Sequence, residues 1–85
     1  MRTTPYFEEQ VLRKRPYIRR EWCAAVLANP LRREVQVDGR VRYWGTITDD
    51  QGGESRMRIL RVVTLADGRT VHNAFFDRRF RGDRP

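Results

Sequence analysis

The 85-residue sequence contains one cysteine and one histidine. The lone cysteine, Cys23, cannot form an intramolecular disulfide and leaves no second thiol for a zinc site. It lies between Trp22 and Ala24 in a run of helical pattern, so we expect a buried structural thiol rather than a nucleophile. A run of about 18 apolar residues and a secretory leader pattern are also missing. These absences predict a cytoplasmic protein with no membrane partner.

Motifs for nucleotide binding and acyl transfer are missing as well. The sequence has no phosphate-binding glycine loop, no dinucleotide fingerprint and no serine elbow. Three acids, Asp49, Asp50 and Glu54, fall in one glycine-rich loop without a nearby histidine. That arrangement is more typical of a solvated loop than of a metal site. We therefore expect neither a cofactor nor a metal.

Positive charge is the dominant feature of the composition. Eighteen Lys and Arg residues against eleven Asp and Glu residues give a net charge of +7, and every basic residue except Lys14 is arginine. Such a balance favours a polyanionic partner, because arginines that neutralise phosphates release condensed counterions. The alternative is that the charge only keeps a small domain soluble and that the arginine excess reflects genomic base composition.

The length of the chain predicts one small domain. With 39% hydrophobic and 34% charged residues, it can build a single two-layer core. An exposed groove or sheet face is then a better working surface than a deep cavity. We expect an ordered core over about residues 6–76, followed by a basic tail, 77–85, that is frayed or ordered by a partner.

Two short helices are predicted near the N-terminus. Apolar residues at helical spacing follow Pro5 and predict a helix over Tyr6 to Arg15, which Pro16 ends. A second helix is predicted from Ile18 to Ala28. It stops at Asn29-Pro30, because the residue before a proline is disfavoured in the α region.

The apolar period changes to two from Glu34, which predicts strands. Asp38-Gly39 marks a first hairpin, and a polar loop over 49–55 precedes a third strand over Arg56 to Leu65. The fourth strand covers residues 70–76. Short connections favour an antiparallel meander. The prediction is an α+β fold with two short N-terminal helices packed on one face of a four-stranded antiparallel sheet.

The strongest local signal is Asp67-Gly68 between two β-branched runs, which predicts a tight hairpin. A two-residue type I′ turn pairs Val63 with His72 and Arg61 with Ala74. Arg61 and His72 then become diagonal neighbours on one face, with Cβ atoms about 7–8 Å apart. A three-residue loop with a bulge shifts the register by one and places them on opposite faces.

The turn at Asp38-Gly39 has the same two possible forms. Here the bulged form is attractive, because it places Val35 with Val41 and Tyr43.

Arg40, Arg42 and Trp44 alternate with apolar residues on the second strand of this hairpin. If the apolar residues face the helices, these three share the uncovered sheet face with Arg61 and His72. Guanidinium groups interleaved with an aromatic stacking surface suit a flexible RNA strand.

Several of these side chains have a structural explanation too. His72 is equally consistent with a half-exposed strand residue that is hydrogen-bonded to a neighbour, and Trp44 with a core residue. Tyr43 fits under the helices with its hydroxyl group reaching out, so an acid or base role stays open for it.

The order of the elements carries a resemblance to a known family. Two helices precede Asn29-Pro30, and the strands contain Asp38-Gly-Arg-Val-Arg-Tyr-Trp-Gly45 and Leu60-Arg-Val-Val63. In these elements, residues 6–80 resemble small bacterial proteins of the RelE/ParE/BrnT toxin superfamily. The likeness is to a branch with Val-Leu-Ala-Asn-Pro, Asp-Gly-Arg-x-Arg-Tyr-x-Gly and Leu-Arg-Val-Val elements.

This resemblance implies a metal-free endoribonuclease, often ribosome-associated and held inactive by a cognate antitoxin, or a gyrase-directed relative. In such ribonucleases the 2′-hydroxyl of the RNA attacks the adjacent phosphorus, and the protein stabilises charge on phosphate oxygens. Arg61 matches the arginine on the third strand of the family. His72 lies on the last strand, where relatives carry catalytic or phosphate-binding groups, and competes with Tyr43 for the acid–base role. Arg78 or Arg79 matches a basic position just after that strand.

The leading expectation is therefore an RNA-cleaving toxin in which Arg61 stabilises the transition-state phosphate and His72 exchanges a proton. The alternative is a non-catalytic module that binds RNA or an acidic protein segment through the basic sheet face. A third possibility is a subunit that adds an edge strand to another protein. The nucleic-acid-binding candidates are Arg40, Arg42, Trp44, Arg78 and Arg79.

Overall fold

The structure is a computed structural model, and it describes residues 1–80. Helix α1 begins with Pro5 and Tyr6 and continues through a π-helical turn at Phe7–Val11 and an α-helical turn at Leu12–Lys14, and helix α2 spans Arg20–Ala28. The strands are β1 (Arg2–Thr3), β2 (Arg32–Val35), β3 (Val41–Asp49), β4 (Arg56–Thr64) and β5 (Thr70–Phe76). A short 3₁₀ turn at Gln51–Gly53 lies between β3 and β4.

The strands form one mixed sheet in the order β1-β5-β4-β3-β2. Strands β2 to β5 are antiparallel to their neighbours, whereas β1 runs parallel to β5, with Arg2 opposite Thr70 and Thr3 opposite Val71. The α+β class is as expected, but the predicted four-stranded antiparallel sheet is wrong. Strand β1 is too short to show a period of two, so only its pairing with the last strand identifies it.

Helix α1 starts where Thr4 caps it. The hydroxyl group of Thr4 accepts the N–H of Phe7 at 3.1 Å, and the helical backbone begins at Pro5. Proline is favourable at this first position because its missing N–H has no partner there anyway. The helix therefore begins one residue before the predicted Tyr6.

Helix α2 begins at Arg20, two residues after the predicted Ile18, and ends at Ala28 as expected. It buries Trp22 and Cys23 against the sheet. Cys23 is fully buried, as expected, and burial raises the pKa of its thiol to about 12. Neither helix in residues 1–80 has the length and apolar character needed to cross a membrane.

The core lies between the two helices and one face of the sheet. Its buried side chains are Phe7, Val11, Ile18, Trp22, Cys23, Val26, Val41, Tyr43, Ile47, Leu60, Val62, Val71 and Ala74. Gly45 brings helix and sheet together, because a Cβ atom there would lie 3.0 Å from Cγ2 of Val26. A larger residue at this position would push α2 away from β3.

The β2–β3 hairpin takes the bulged form. Val35 lies opposite Val41, and Gly39 adopts a φ of +91°. The N–H of Gln36 donates to the carbonyl of Arg40 at 2.7 Å, which closes a three-residue loop. The favoured pairing of Val35 with Val41 is thus confirmed.

Candidate nucleic-acid interface

The turn between β4 and β5 differs from the type I′ form. Gly68 has a φ of +70°, whereas Asp67 has a negative φ. The carboxylate of Asp67 accepts the O–H of Thr70 at 2.5 Å and its N–H at 2.9 Å, and these hydrogen bonds lower the pKa of Asp67 to about 2. The N–H of Leu65 donates to the carbonyl of Thr70. Because a type I′ turn needs two positive φ values, this turn is not the two-residue type I′ form, one of the two forms that the sequence left open.

A β-bulge in β5 sets the positions of the predicted catalytic residues. Val63 lies opposite Asn73 instead of His72, and the register shifts between Val63 and the next residue of β4. His72 is the extra residue of the bulge. Arg61 consequently lies opposite Phe75, not Ala74. Beyond the bulge, the structure therefore has the shifted register, the second of the two that the sequence left open.

His72 fastens the N-terminal segment to β5. Its Nδ1 atom is hydrogen-bonded to Oγ1 of Thr4 at 2.9 Å, and its ring stacks on Tyr6 with centroids 4.8 Å apart. Burial, and next the positive charge of Arg40, lower the pKa of His72. Since the Thr4 oxygen already accepts the N–H of Phe7, its own hydrogen suits a neutral Nδ1 atom. This environment favours an uncharged structural imidazole.

Tyr43 lies on the opposite face from Arg61. It sits opposite Val62 in the core, and its hydroxyl group donates to the carbonyl of Gly68 at 2.9 Å. Arg61 is the neighbour of Val62 on β4, and successive residues of a strand lie on opposite faces of the sheet. Within residues 1–80, Arg61 and His72 share no hydrogen bond, ion pair or aromatic partner. The three predicted catalytic side chains do not form one site.

Three guanidinium groups surround one indole on the sheet face away from the helices. Trp44 lies opposite Arg32 on β2 and opposite Arg61 on β4. The Cζ atoms of Arg32, Arg42 and Arg61 lie 5.7, 5.9 and 5.4 Å from its ring centroid. These distances are within the range of cation–π attraction. Alternation predicted that Arg42, Trp44 and Arg61 share this face, and they do.

The segment Asp77–Phe80 covers this indole. The Nε1–H of Trp44 donates to Oδ2 of Asp77 at 2.9 Å, and the ring of Phe80 stacks on the indole with centroids 5.3 Å apart. Trp44 is only 6% exposed as a result. The expected frayed tail is therefore wrong for these four residues, while 81–85 lie outside the described residues. We use the name Trp44 cluster for Trp44, Arg32, Arg42, Arg61, Asp77 and Phe80.

Asp77 is one of two carboxylates at the Trp44 cluster, the other being Glu34, which is ion-paired with Arg32 and lies opposite Arg42. Burial alone would raise the pKa of Asp77, but hydrogen bonds from the indole of Trp44 and the backbone N–H of Arg79 outweigh it and hold this pKa below its ordinary value. Nη1 of Arg61 lies 3.9 Å from the Asp77 carboxylate and adds to the effect. The carboxylate is thus held ionised in a cationic setting.

The arginines of the Trp44 cluster have more donors than partners. Arg32 is ion-paired with Glu34, but the Nε atoms of Arg42 and Arg61 are buried and have no hydrogen-bond partner within residues 1–80. Burial, and next the neighbouring charge of Arg42, lower the pKa of Arg61. A buried donor without a partner costs about 1–3 kcal/mol.

The other predicted RNA-binding arginines lie outside the Trp44 cluster. Arg40 is exposed at the β2–β3 turn, where Nη1 lies 3.9 Å from Oδ2 of Asp38. The positive charge of Arg40 instead lowers the pKa of His72. Arg78 and Arg79 belong to the segment over the indole, and both are exposed. They extend the basic surface without contacting the ring.

Sequence reasoning missed three members of the cluster. The bulged β2–β3 turn contained the signal for Arg32, because counting back from the Val35–Val41 pair places Arg32 opposite Trp44. Phe80 is the only aromatic residue of the predicted tail and its expected anchor, but the sequence does not show where it packs, and Asp77 gave no signal. They follow the last strand, where no periodicity reports the path of the chain.

No family model, no curated protein and no solved structure matches this chain. Among the described residues, no three His, Cys, Asp or Glu side chains are grouped as metal ligands would be. The resemblance to the RelE/ParE/BrnT superfamily stays a prediction. A functional assignment therefore depends on the geometry of the Trp44 cluster.

Proposed function

We propose that this protein binds single-stranded RNA through the Trp44 cluster, without cleaving it. The observation that carries the proposal is the placement of three guanidinium groups around one indole, two of them with an unpartnered Nε. Guanidinium groups bind phosphates, and the indole can stack on a base that is not paired in a duplex once the ring of Phe80 has left it.

This combination favours a flexible nucleic acid over other polyanions. An acidic peptide would neutralise the arginines but offers the indole no planar ring. A double helix presents phosphates, yet its base faces are stacked on one another. The net charge of +7 and the exposed Arg40, Arg78 and Arg79 add attraction that does not depend on base sequence.

The ribonuclease toxin, with its antitoxin partner and ribosome association, stays a prediction, as does a cytoplasmic location. Cleavage by a 2′-hydroxyl needs its stabilising and proton-transferring groups around one phosphate. Arg61 instead lies beside Asp77, and His72 is bonded to Thr4. The geometry therefore supports binding better than catalysis.

The test compares two arginine variants for binding to a fluorescent oligouridine RNA of about eight nucleotides, a length suited to one sheet face. Arg61→Met keeps the aliphatic stem and removes the guanidinium group. We expect it to weaken binding about 10-fold and to lower the salt slope by about 0.7, the value for one lost phosphate contact in a single strand. The control, Arg13→Met, removes the same charge from an exposed position of α1 and should stay within about 2-fold.

Three results would contradict the proposal. Equal affinities of Arg61→Met and Arg13→Met would show that only net charge matters. Tighter binding of polyglutamate than of RNA at matched charge would indicate a protein partner. Cleavage of the RNA, abolished in His72→Ala while binding persists, would support the ribonuclease instead.

A further inference from the structure

The segment Asp77–Phe80 makes the same kinds of contact that a nucleotide would make. The Asp77 carboxylate accepts the indole N–H at 2.9 Å and faces the guanidinium group of Arg61. Phe80 lies nearly flat on Trp44, with 19° between the ring planes. A carboxylate and a phosphate are both anionic acceptors, and a phenyl ring and a base both offer a π face.

We propose that Asp77 and Phe80 occupy the phosphate and base positions of the RNA site, and that RNA binds by displacing them. The inference rests on the proposed function and adds how the site is controlled. The protein then carries its own competitor, joined to the sheet directly after β5.

Asp77 is an incomplete substitute for a phosphate. Its carboxylate is 3.9 Å from Nη1 of Arg61, beyond hydrogen-bond distance, and it leaves the Nε atoms of Arg61 and Arg42 without partners. A phosphate group has more oxygen atoms and can bind a guanidinium group in a bidentate manner. RNA can therefore satisfy donors that the internal segment does not.

The attachment of the segment allows such an exchange. Its last backbone bond to the sheet runs from the N–H of Asp77 to the carbonyl of Ile59 at 3.0 Å. Beyond that bond, the contacts to the cluster come from the side chains of Asp77 and Phe80, while Arg78 and Arg79 are exposed. The segment can leave Trp44 while β5 stays paired.

RNA binds only those molecules in which the segment has left Trp44. The apparent RNA affinity is therefore the affinity of this open form multiplied by the fraction of molecules that are open. Asp77→Asn keeps the size of the side chain but removes its charge, so we expect about 3–10-fold tighter RNA binding as the open fraction rises. Asp50→Asn is the matched control, because it changes the net charge equally at a side chain that is 66% exposed in a loop. It should tighten binding less than about 2-fold.

Phe80→Ala tests the base position. It should tighten binding to the oligouridine RNA about 3-fold, because the base then meets no competing ring. In a Trp22→Phe background, emission comes from Trp44 alone. Acrylamide should quench this emission more strongly after Phe80→Ala, and added RNA should restore protection.

The outcomes separate this inference from the proposed function. Weaker RNA binding by Phe80→Ala, or equal affinities of Asp77→Asn and Asp50→Asn, would overturn the displacement while Arg61→Met still shows a binding defect. A missing Arg61→Met defect would overturn both. Circular dichroism verifies the fold of each variant, and Phe80→Leu replaces Phe80→Ala if the latter unfolds, with tighter binding again expected.

Discussion

Both faces of the sheet bury large side chains, but by different kinds of contact. Under the helices, Leu60 and Val62 are fully buried among apolar side chains. On the other face, Trp44 is almost as well buried, yet guanidinium groups, a carboxylate and one phenyl ring surround it. Similar burial therefore has a different chemical origin on each face.

This difference shows where a ligand can enter without unfolding the protein. Exposing the helix-covered face would transfer apolar surface to water, which costs about 25 cal/mol for each Å². On the Trp44 face, a ligand can replace one ion pair, hydrogen bond or stacked ring by another of the same kind. Such a replacement changes the free energy of the protein little. Four variants or conditions test this contrast, beginning with the largest expected effect.

Leu60→Ala should lower the free energy of unfolding by about 2–5 kcal/mol, because it leaves a cavity in a fully buried site. Urea unfolding measures the loss. Met57→Ala, on the same strand but 75% exposed, should stay within about 0.5 kcal/mol. Similar losses for the two variants would contradict the burial of this face.

Gly45→Ala should cost about 1–3 kcal/mol, since the new Cβ atom meets Val26 at 3.0 Å. Combining it with Val26→Ala should recover part of that loss, because the smaller side chain leaves room for the methyl group. Thermal melts of both single variants and the double variant measure the coupling. If the stability losses of the two single variants simply add in the double variant, α2 does not press against Gly45.

Trp44→Phe should destabilise the protein by about 1–2 kcal/mol, because the Asp77 carboxylate loses its indole donor. In a double-mutant cycle with Asp77→Asn, the two changes should be coupled by about 1 kcal/mol. Trp44→Phe combined with Asp50→Asn should be additive. A cycle without coupling to Asp77 would argue against closure of this face by the segment.

The smallest effect concerns pH. Burial and Arg40 hold the pKa of His72 below its ordinary value of 6.5 in the folded protein. As the pH falls below 6.5, the unfolded chain binds a proton that the folded chain does not, so stability declines until the pH passes the folded pKa. His72→Gln should remove this decline in urea titrations between pH 7.5 and 5.5. A rise in stability over that range would contradict the neutral imidazole bonded to Thr4.

Local signals predicted the parts of the structure that local physics controls. Helical spacing and Asn29-Pro30 placed the end of α2, and they placed Cys23 in the core. The turn at Asp38-Gly39 set the β2–β3 register because Gly39 supplies the positive φ that a bulged turn needs. In these cases a few neighbouring residues decide the outcome.

The errors concern pairings between distant residues. The bulge at His72 depends on Thr4 and Tyr6, which hold the imidazole at the edge of β5. The path of the C-terminal segment depends on Trp44, which meets Phe80 only when the sheet has formed. A one-residue shift on β5 then separated two side chains that a regular hairpin would have joined.

Composition and periodicity settled the charge of the protein, its α+β class and the burial of Cys23, because these follow from solvation and local backbone preference. Folding in three dimensions decided the fifth strand, the separation of Arg61 from His72 and the segment across Trp44. These features arise from contacts between residues far apart in the chain. Their free energy exists only when the sheet brings those residues together.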